Sequence, residues 1–272
     1  MKKTLTLLLA MLVIFAGGMQ AKDRTLRILA IGNSFSEDAI EQNLWELFNA
    51  RGQDVIIGNM YIGGCTLERH ASNAASDAPA YRYRKITGGK TEEVKNFTLS
   101  AALADEPWDY VSLQQASGRS GLYESYSWLP GLIGYVKERT PDDVTIVFHQ
   151  TWAYSSDSSH PEFVNYGNDQ NAMYEAICGA VARAAEDNPD IGLVIPAGPA
   201  IQNARATVFG DTFCRDGFHL ELTYGRYTAA CAWYEAISGK SVKGNPYHPE
   251  SMTKEQARII QKAVHKAFRR KK

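Results

Sequence analysis

A serine, an aspartate and a histidine stand in this 272-residue chain at places where they could carry out acyl transfer. Ser34 ends the run Ile28-Leu29-Ala30-Ile31-Gly32-Asn33-Ser34, on a glycine-containing turn just past an apolar stretch and just before a helical pattern. A hydroxyl and a backbone N–H presented there would meet an incoming carbonyl, although Ser34 or Ser36 could equally do no more than cap the helix. Far along the chain, Asp216-Gly217-Phe218-His219 sets a carboxylate three residues before an imidazole. A serine hydroxyl is a poor nucleophile until a base takes its proton, and a carboxylate on the far ring nitrogen holds that base in the useful tautomer. The plainer alternative for this segment is a loop ion pair or a cap. An acyl-transfer site also needs donors for the oxyanion, and Gly63-Gly64 and Gln114-Gln115 both follow apolar runs that read as strands.

The elements that would carry these residues alternate. Leu26–Ile31 reads as a buried strand, and Ala39–Ala50 has helical spacing through Ile40, Leu44, Leu47 and Phe48. Gln53–Tyr61 reads as a second strand, and Leu67 opens a helical stretch. Further strands fall at Tyr110–Leu113, Val144–His149 and Gly192–Ile195, with helices over 128–139, 172–185 and 224–237. Residues 81–97, two polar arms about Gly88-Gly89, read as an inserted hairpin outside the central sheet. Strands and helices alternating at this spacing imply an α/β domain with a parallel sheet covered on both faces. In such sheets the chemistry gathers at the carboxyl ends of the strands, where these residues fall.

Taken together, these motifs resemble the SGNH/GDSL hydrolase superfamily, which carries its serine in a Gly-Asp-Ser turn, a glycine after the second strand, an Asn after the third and Asp-x-x-His near the end. The resemblance spans most of the chain. It implies a three-layer α/β/α, flavodoxin-like doubly wound sheet, with Ser34 as nucleophile and first oxyanion donor, Gly64 as second donor, and Asp216 and His219 completing a triad. This chain has Asn33 where the superfamily usually has Asp, and Leu113-Gln114-Gln115-Ala116 in place of the Gly-x-Asn-Asp block. Gln115 is then the expected third donor. More narrowly, Gly-Asn-Ser-Phe-Ser, Tyr-Ile-Gly-Gly-Cys-Thr-Leu, Thr-Trp-Ala-Tyr and Cys-Arg-Asp-Gly-Phe-His-Leu are similar to a DUF4886-like branch common in Bacteroidetes. In such a fold the loops bearing Cys65 and Cys214 would meet at the active site, where export makes a disulfide between them chemically possible and free buried thiols are the alternative.

The segment His149-Gln150-Thr151-Trp152-Ala153-Tyr154 follows the fourth strand, so Trp152 and Tyr154, with His149, are expected on the same rim as a platform for a sugar ring; packing of the loop itself is the alternative. His149, Asp157 and His160 match no compact zinc spacing. No cofactor or metal is implied.

Lys2 and Lys3, the apolar run Leu5–Ala16 and small residues up to Ala21 read as a secretory signal peptide over residues 1–21. That run is shorter than the roughly 18 to 20 residues of a spanning helix, so no stable membrane anchor is expected. The remaining 250 or so residues suit one domain. Removing the leader takes the formal charge from −1 to −3, which does not suggest nucleic acid, and the basic end Arg269–Lys272 reads as a solvated helix end. The sequence thus points to an exported, periplasmic or extracellular esterase acting on an O-acetylated carbohydrate. The alternatives are a lipid or small-ester esterase, a non-catalytic glycan-binding protein on the same fold, and a metal-dependent hydrolase.

Overall fold

Five strands form the parallel part of one sheet: β1 (Leu26–Gly32), β2 (Val55–Tyr61), β5 (Tyr110–Leu113), β6 (Thr145–Gln150) and β7 (Ile191–Pro196). The hairpin β3 (Tyr81–Thr87) and β4 (Lys90–Phe97) completes seven strands in the order β4-β3-β2-β1-β5-β6-β7. The computed structural model describes residues 24–269, so the expected leader over 1–21 and the last basic residues lie outside the described part. Among the parallel strands the spatial order reverses at β1, where β2 lies on one side and β5 on the other. A crevice opens at such a reversal, at the carboxyl ends of the strands.

Nine helices among the described residues cover the sheet: α1 (Ser34–Ile40), α2 (Leu44–Asn49), α3 (Leu67–Ala75), α4 (Leu99–Asp105), α5 (Leu129–Lys137), α6 (Gln170–Asp187), α7 (Ala197–Arg205), α8 (Tyr224–Ser238) and α9 (Lys254–Ala267). One layer gathers α1, α2, α7 and α9 around α8, and α3 packs on α4 and α5 in the other. Strands buried on both sides need apolar residues in succession rather than alternation. Ile28, Leu29, Ile31, Ile57, Met60, Val111, Leu113, Ile146, Val147 and Phe148 meet that need and are all buried. None of the described helices is long and apolar enough to cross a membrane.

Two expectations change. The hairpin over 81–97 belongs to the central sheet, because β3 pairs antiparallel with β2 from Ile56↔Thr87 to Tyr61↔Arg82. Its polar arms masked this: Tyr81, Tyr83 and Ile86 are buried, while Arg84 pairs with Glu41 and Glu93, and Lys85 with Asp105 and Glu106. The outermost strand β4 is exposed along its length, with charges that discourage pairing with another chain. The helix expected over 39–50 is two short helices, since helical structure begins at Ser34 and breaks at Asn43, which takes φ 69° and accepts a hydrogen bond from the Tyr247 hydroxyl.

Candidate active site

The turn after β1 is packed so tightly that a Cβ on Gly32 would lie 2.5 Å from Ser36 Oγ and 3.0 Å from Gln114 Cδ. Asn33 then caps α1, its Oδ1 accepting from Phe35 N at 2.9 Å. Because a backbone N–H only donates, Oδ1 must be an acceptor, and Gln114 Nε2 donates to it as well, at 2.7 Å. The amide Nδ2 of Asn33 is left to donate to the Cys65 carbonyl at 3.0 Å. Gln114 Oε1 in turn accepts from His149 Nδ1 at 2.9 Å. One polarity therefore runs from His149 through Gln114 and Asn33 to the loop after β2, all in buried surroundings.

Ser34, set up by this turn, lies 2.8 Å from His219 Nε2 through its Oγ. His219 Nδ1 is 2.7 Å from Asp216 Oδ2. A carboxylate accepts, so Nδ1 carries the proton and Nε2 keeps a lone pair for the serine hydroxyl. The backbone N–H of His219 donates to Asp216 Oδ1 at 2.8 Å, and that of Phe218 at 3.3 Å. Partial burial pushes the Asp216 carboxyl up, but the hydrogen bonds from the His219 ring and the two N–H groups outweigh it and hold the group below the usual carboxylate range.

The Asp216–His219 loop is fastened from three sides. Arg215 N donates to His219 O at 2.8 Å and closes the loop on itself. Ser155 N donates to Gly217 O at 2.9 Å, and Gly217, at φ 90°, has Ser158 so close that a Cβ would meet its Oγ at 2.9 Å. Asp38, on α1 and 1% exposed, accepts from Leu220 N at 2.7 Å, from Arg226 Nη2 at 2.7 Å and from Arg215 Nη1 at 3.1 Å. The helix that starts at Ser34 is thereby clamped to the loop that carries His219.

A cleft of about 250 Å³ opens beside Ser34 and His219, with Tyr61 and Gly64 on the β2 side and Ser117, His160 and Glu162 among the residues from the loops after β5 and β6. As the first residue of α1, Ser34 has an N–H without a partner inside the helix. Gly64 takes φ 61°, and the backbone hydrogen bonds of its loop run from Ile62 N to Gly32 O and from Cys65 N to Ile62 O, leaving out its own N–H.

The other expected site residues lie elsewhere. Gln115 is 1% exposed and fully occupied: Nε2 donates to Ser125 O and Oγ, and Oε1 accepts from Leu67 N and Ala116 N. It braces the loop and does not face the cleft. Trp152 is buried, stacked on Phe35 with ring centroids 4.2 Å apart, and its Nε1 donates to Phe218 O at 2.8 Å. It therefore supports the His219 loop from beneath and is no platform. Tyr154 is buried too, and only its hydroxyl approaches the cleft, 2.9 Å from Ser117 Oγ. His149 sits in the core against Trp152 and Trp233, where burial pushes its imidazole down to about 3. Ser36 is buried within hydrogen-bonding distance of Asn33 O and Asn59 Oδ1.

Cys65 and Cys214 are free thiols, so the possible disulfide is not formed and the alternative of free thiols holds. Cys65 Sγ lies 3.5 Å from His70 Nδ1, whereas Cys214 Sγ accepts from Arg205 Nη2 at 3.5 Å, and burial pushes the two thiols up to about 12 and 11. Among the described residues no group of three or more His, Cys, Asp and Glu is set to hold a metal ion; Asp157, for one, accepts from Ser155 Oγ. Sequence reasoning missed Asp38, Arg226, Ser117 and Glu162. Asp38 stands among Ser36, Glu37 and Glu41 in the sequence, so nothing local set it apart from a solvated helix face.

No curated protein matches the chain. A DUF4886 family protein from Bacteroides uniformis is 50% identical, with a TM-score of 0.88 over 90% of this chain and 95% of that one. A candidate SGNH hydrolase from Slackia heliotrinireducens is 21% identical, with a TM-score of 0.54 over 79% of this chain and all of the other. A variant of the acetyl-xylooligosaccharide esterase Axe2 from Geobacillus is 14% identical, with a TM-score of 0.51 over 78% of this chain and 94% of that one. These two likenesses establish the fold as that of the SGNH hydrolases. The family model described as Domain of unknown function (DUF4886) matches residues 27–267, and the chain belongs to that family.

Proposed function

We propose that this protein is a serine esterase that cleaves an O-acyl group, acetyl foremost, from a carbohydrate. The observation that carries this reading is the unbroken chain from Ser34 Oγ to His219 Nε2 at 2.8 Å and from His219 Nδ1 to Asp216 Oδ2 at 2.7 Å, beside an open cleft. In the proposed reaction His219 takes the hydroxyl proton as Ser34 Oγ attacks the ester carbonyl, and the negative charge passes to the carbonyl oxygen. The N–H groups of Ser34 and Gly64 receive that charge. Collapse of the intermediate breaks the bond to the alcohol, which leaves with the proton from His219, and an acyl group remains on Ser34. Water, deprotonated by His219, then releases the acid and restores the serine. Asp216 stabilises the imidazolium at both stages.

We infer export to the periplasm or the extracellular space from the leader-like residues 1–21, and a glycan or small ester as the partner. A fluorophosphonate, which loses fluoride to an activated serine, tests the reading directly. Intact mass should rise by one adduct, mapped to Ser34, and a panel of acetylated sugars and short p-nitrophenyl esters should be hydrolysed. A protein that neither takes the probe nor cleaves any ester would overturn this reading in favour of a non-catalytic glycan-binding protein on the same fold.

A further inference from the structure

The wall of the cleft formed by the loop after β6 carries a donor and an acceptor two residues apart. Backbone N–H of Glu162 donates to His160 Nδ1 at 3.2 Å. That bond needs the Nδ1 lone pair, so the ring proton sits on Nε2, which becomes a donor. The ring is held between Tyr154 and Phe218, with centroids at 4.8 and 4.7 Å. The Glu162 carboxylate lies over Gly118, where a Cβ would stand 2.2 Å from Oε2, so glycine at 118 makes its seat. Arg119 Nε is 3.7 Å from the other oxygen. Both side chains line the cleft together with Ser34 and His219, yet neither belongs to the hydrogen-bonded chain that activates the serine.

A hydroxyl group is both donor and acceptor, and an Nε2–H and a carboxylate on one wall of the cleft offer it a partner for each. Neither a hydrocarbon chain nor a nitrophenyl ring offers such a group. Resting on the esterase reading above, we propose that His160 and Glu162 bind a free hydroxyl on the alcohol side of the substrate, next to the ester oxygen. The preferred substrate class is then a sugar or polyol monoester with an unesterified neighbouring hydroxyl, and fully acylated or lipid alcohols are poor substrates. Both groups are half-exposed, so water can partly replace a missing hydroxyl and the discrimination is smaller than that of a fully buried site.

The test compares kcat/KM for a mono-acetylated methyl pyranoside with a free hydroxyl on the adjacent carbon against its deoxy counterpart. The native protein should favour the hydroxylated ester by on the order of tenfold to a hundredfold. In His160→Phe and in Glu162→Leu that ratio should fall towards one, with folding checked by the thermal midpoint. Hydrolysis of both esters at equal efficiency by the native protein overturns the proposal and leaves the esterase reading intact. Hydrolysis of neither, with Ser34 unreactive to fluorophosphonate, removes the esterase reading and this proposal with it.

Discussion

Asn33 donates its side-chain N–H to the main-chain carbonyl of Cys65 at 3.0 Å, tying the turn that presents Ser34 to the loop that presents Gly64. An Asp in its place would keep the cap on α1 but has no hydrogen to give when ionised. The polarity that forces Asn33 to donate is set by Phe35 N and Gln114 Nε2, which both donate to its other side-chain atom. The Asn in this turn is therefore matched to its surroundings.

Asn33→Asp should lower stability by on the order of 2–3 kcal/mol, because a buried carboxylate would face a carbonyl oxygen. The loss should grow as pH rises, since the protonated carboxyl could still donate to Cys65 O and the ionised form could not. Turnover should fall with it as the Gly64 loop loosens. Denaturant midpoints at two pH values check this, and a midpoint equal to that of the native protein at both would show that the hydrogen bond contributes nothing.

Ser34→Ala should reduce ester hydrolysis to background with little change in the thermal midpoint, since its hydroxyl faces the cleft. Ser36→Ala should do the reverse, lowering stability by about 1 kcal/mol while turnover largely persists, because Ser36 Oγ is buried against Asn33 O and Asn59 Oδ1. If Ser36→Ala is dead and Ser34→Ala turns over normally, the nucleophile has been misassigned.

Residues whose chemistry demands a particular type at an element end were legible in the sequence. Ser34 and Gly64 follow β1 and β2 directly, and the Asp216–His219 spacing marks a carboxylate–imidazole pair even though α7 separates that loop from β7. Orientation was less legible. Trp152 and Tyr154 follow β6 just as rim residues would, and His149 stands near its end, yet all three are buried, and an aromatic run reads the same in either case. Gln114 and Gln115 leave β5 on opposite sides, but both are buried, one against Asn33 and the other against the Ser125 loop, so neither register places an amide in the cleft. The partners of Asp38 stand 177 and 188 residues away, a distance that no local pattern reveals.

Asp38→Ala should be among the most damaging substitutions in the chain, costing about 3–5 kcal/mol. It removes one carboxylate that two guanidinium groups share in a buried place and leaves Arg226 without its partner. It also frees Leu220 N, next to His219, so the residual folded protein should show reduced labelling of Ser34 by fluorophosphonate. Calorimetry and the labelling rate, measured below the lowered midpoint, separate the two effects. Native labelling in the variant would mean that the clamp is not needed to hold the His219 loop.

Acid should destabilise the protein from near pH 6.5 downward. Burial pushes both His149 and His70 down to about 3 from an ordinary value of 6.5; Arg69 lowers His70 further. The unfolded chain therefore takes up protons at these positions at a higher pH than the folded one does. Their contribution is fully present above pH 6.5 and is lost as pH falls towards 3, at up to about 1.4 kcal/mol per pH unit for each ring. Asp216 has the same sign but a lower window, since its folded value lies below 3.8. His149→Gln keeps an N–H for Gln114 Oε1 and cannot titrate, so its stability between pH 6.5 and 4 should fall less steeply than that of the native protein, by close to one proton. Denaturant midpoints across that range measure the slope, and a variant as steep as the native chain would show that His149 is already protonated in the fold.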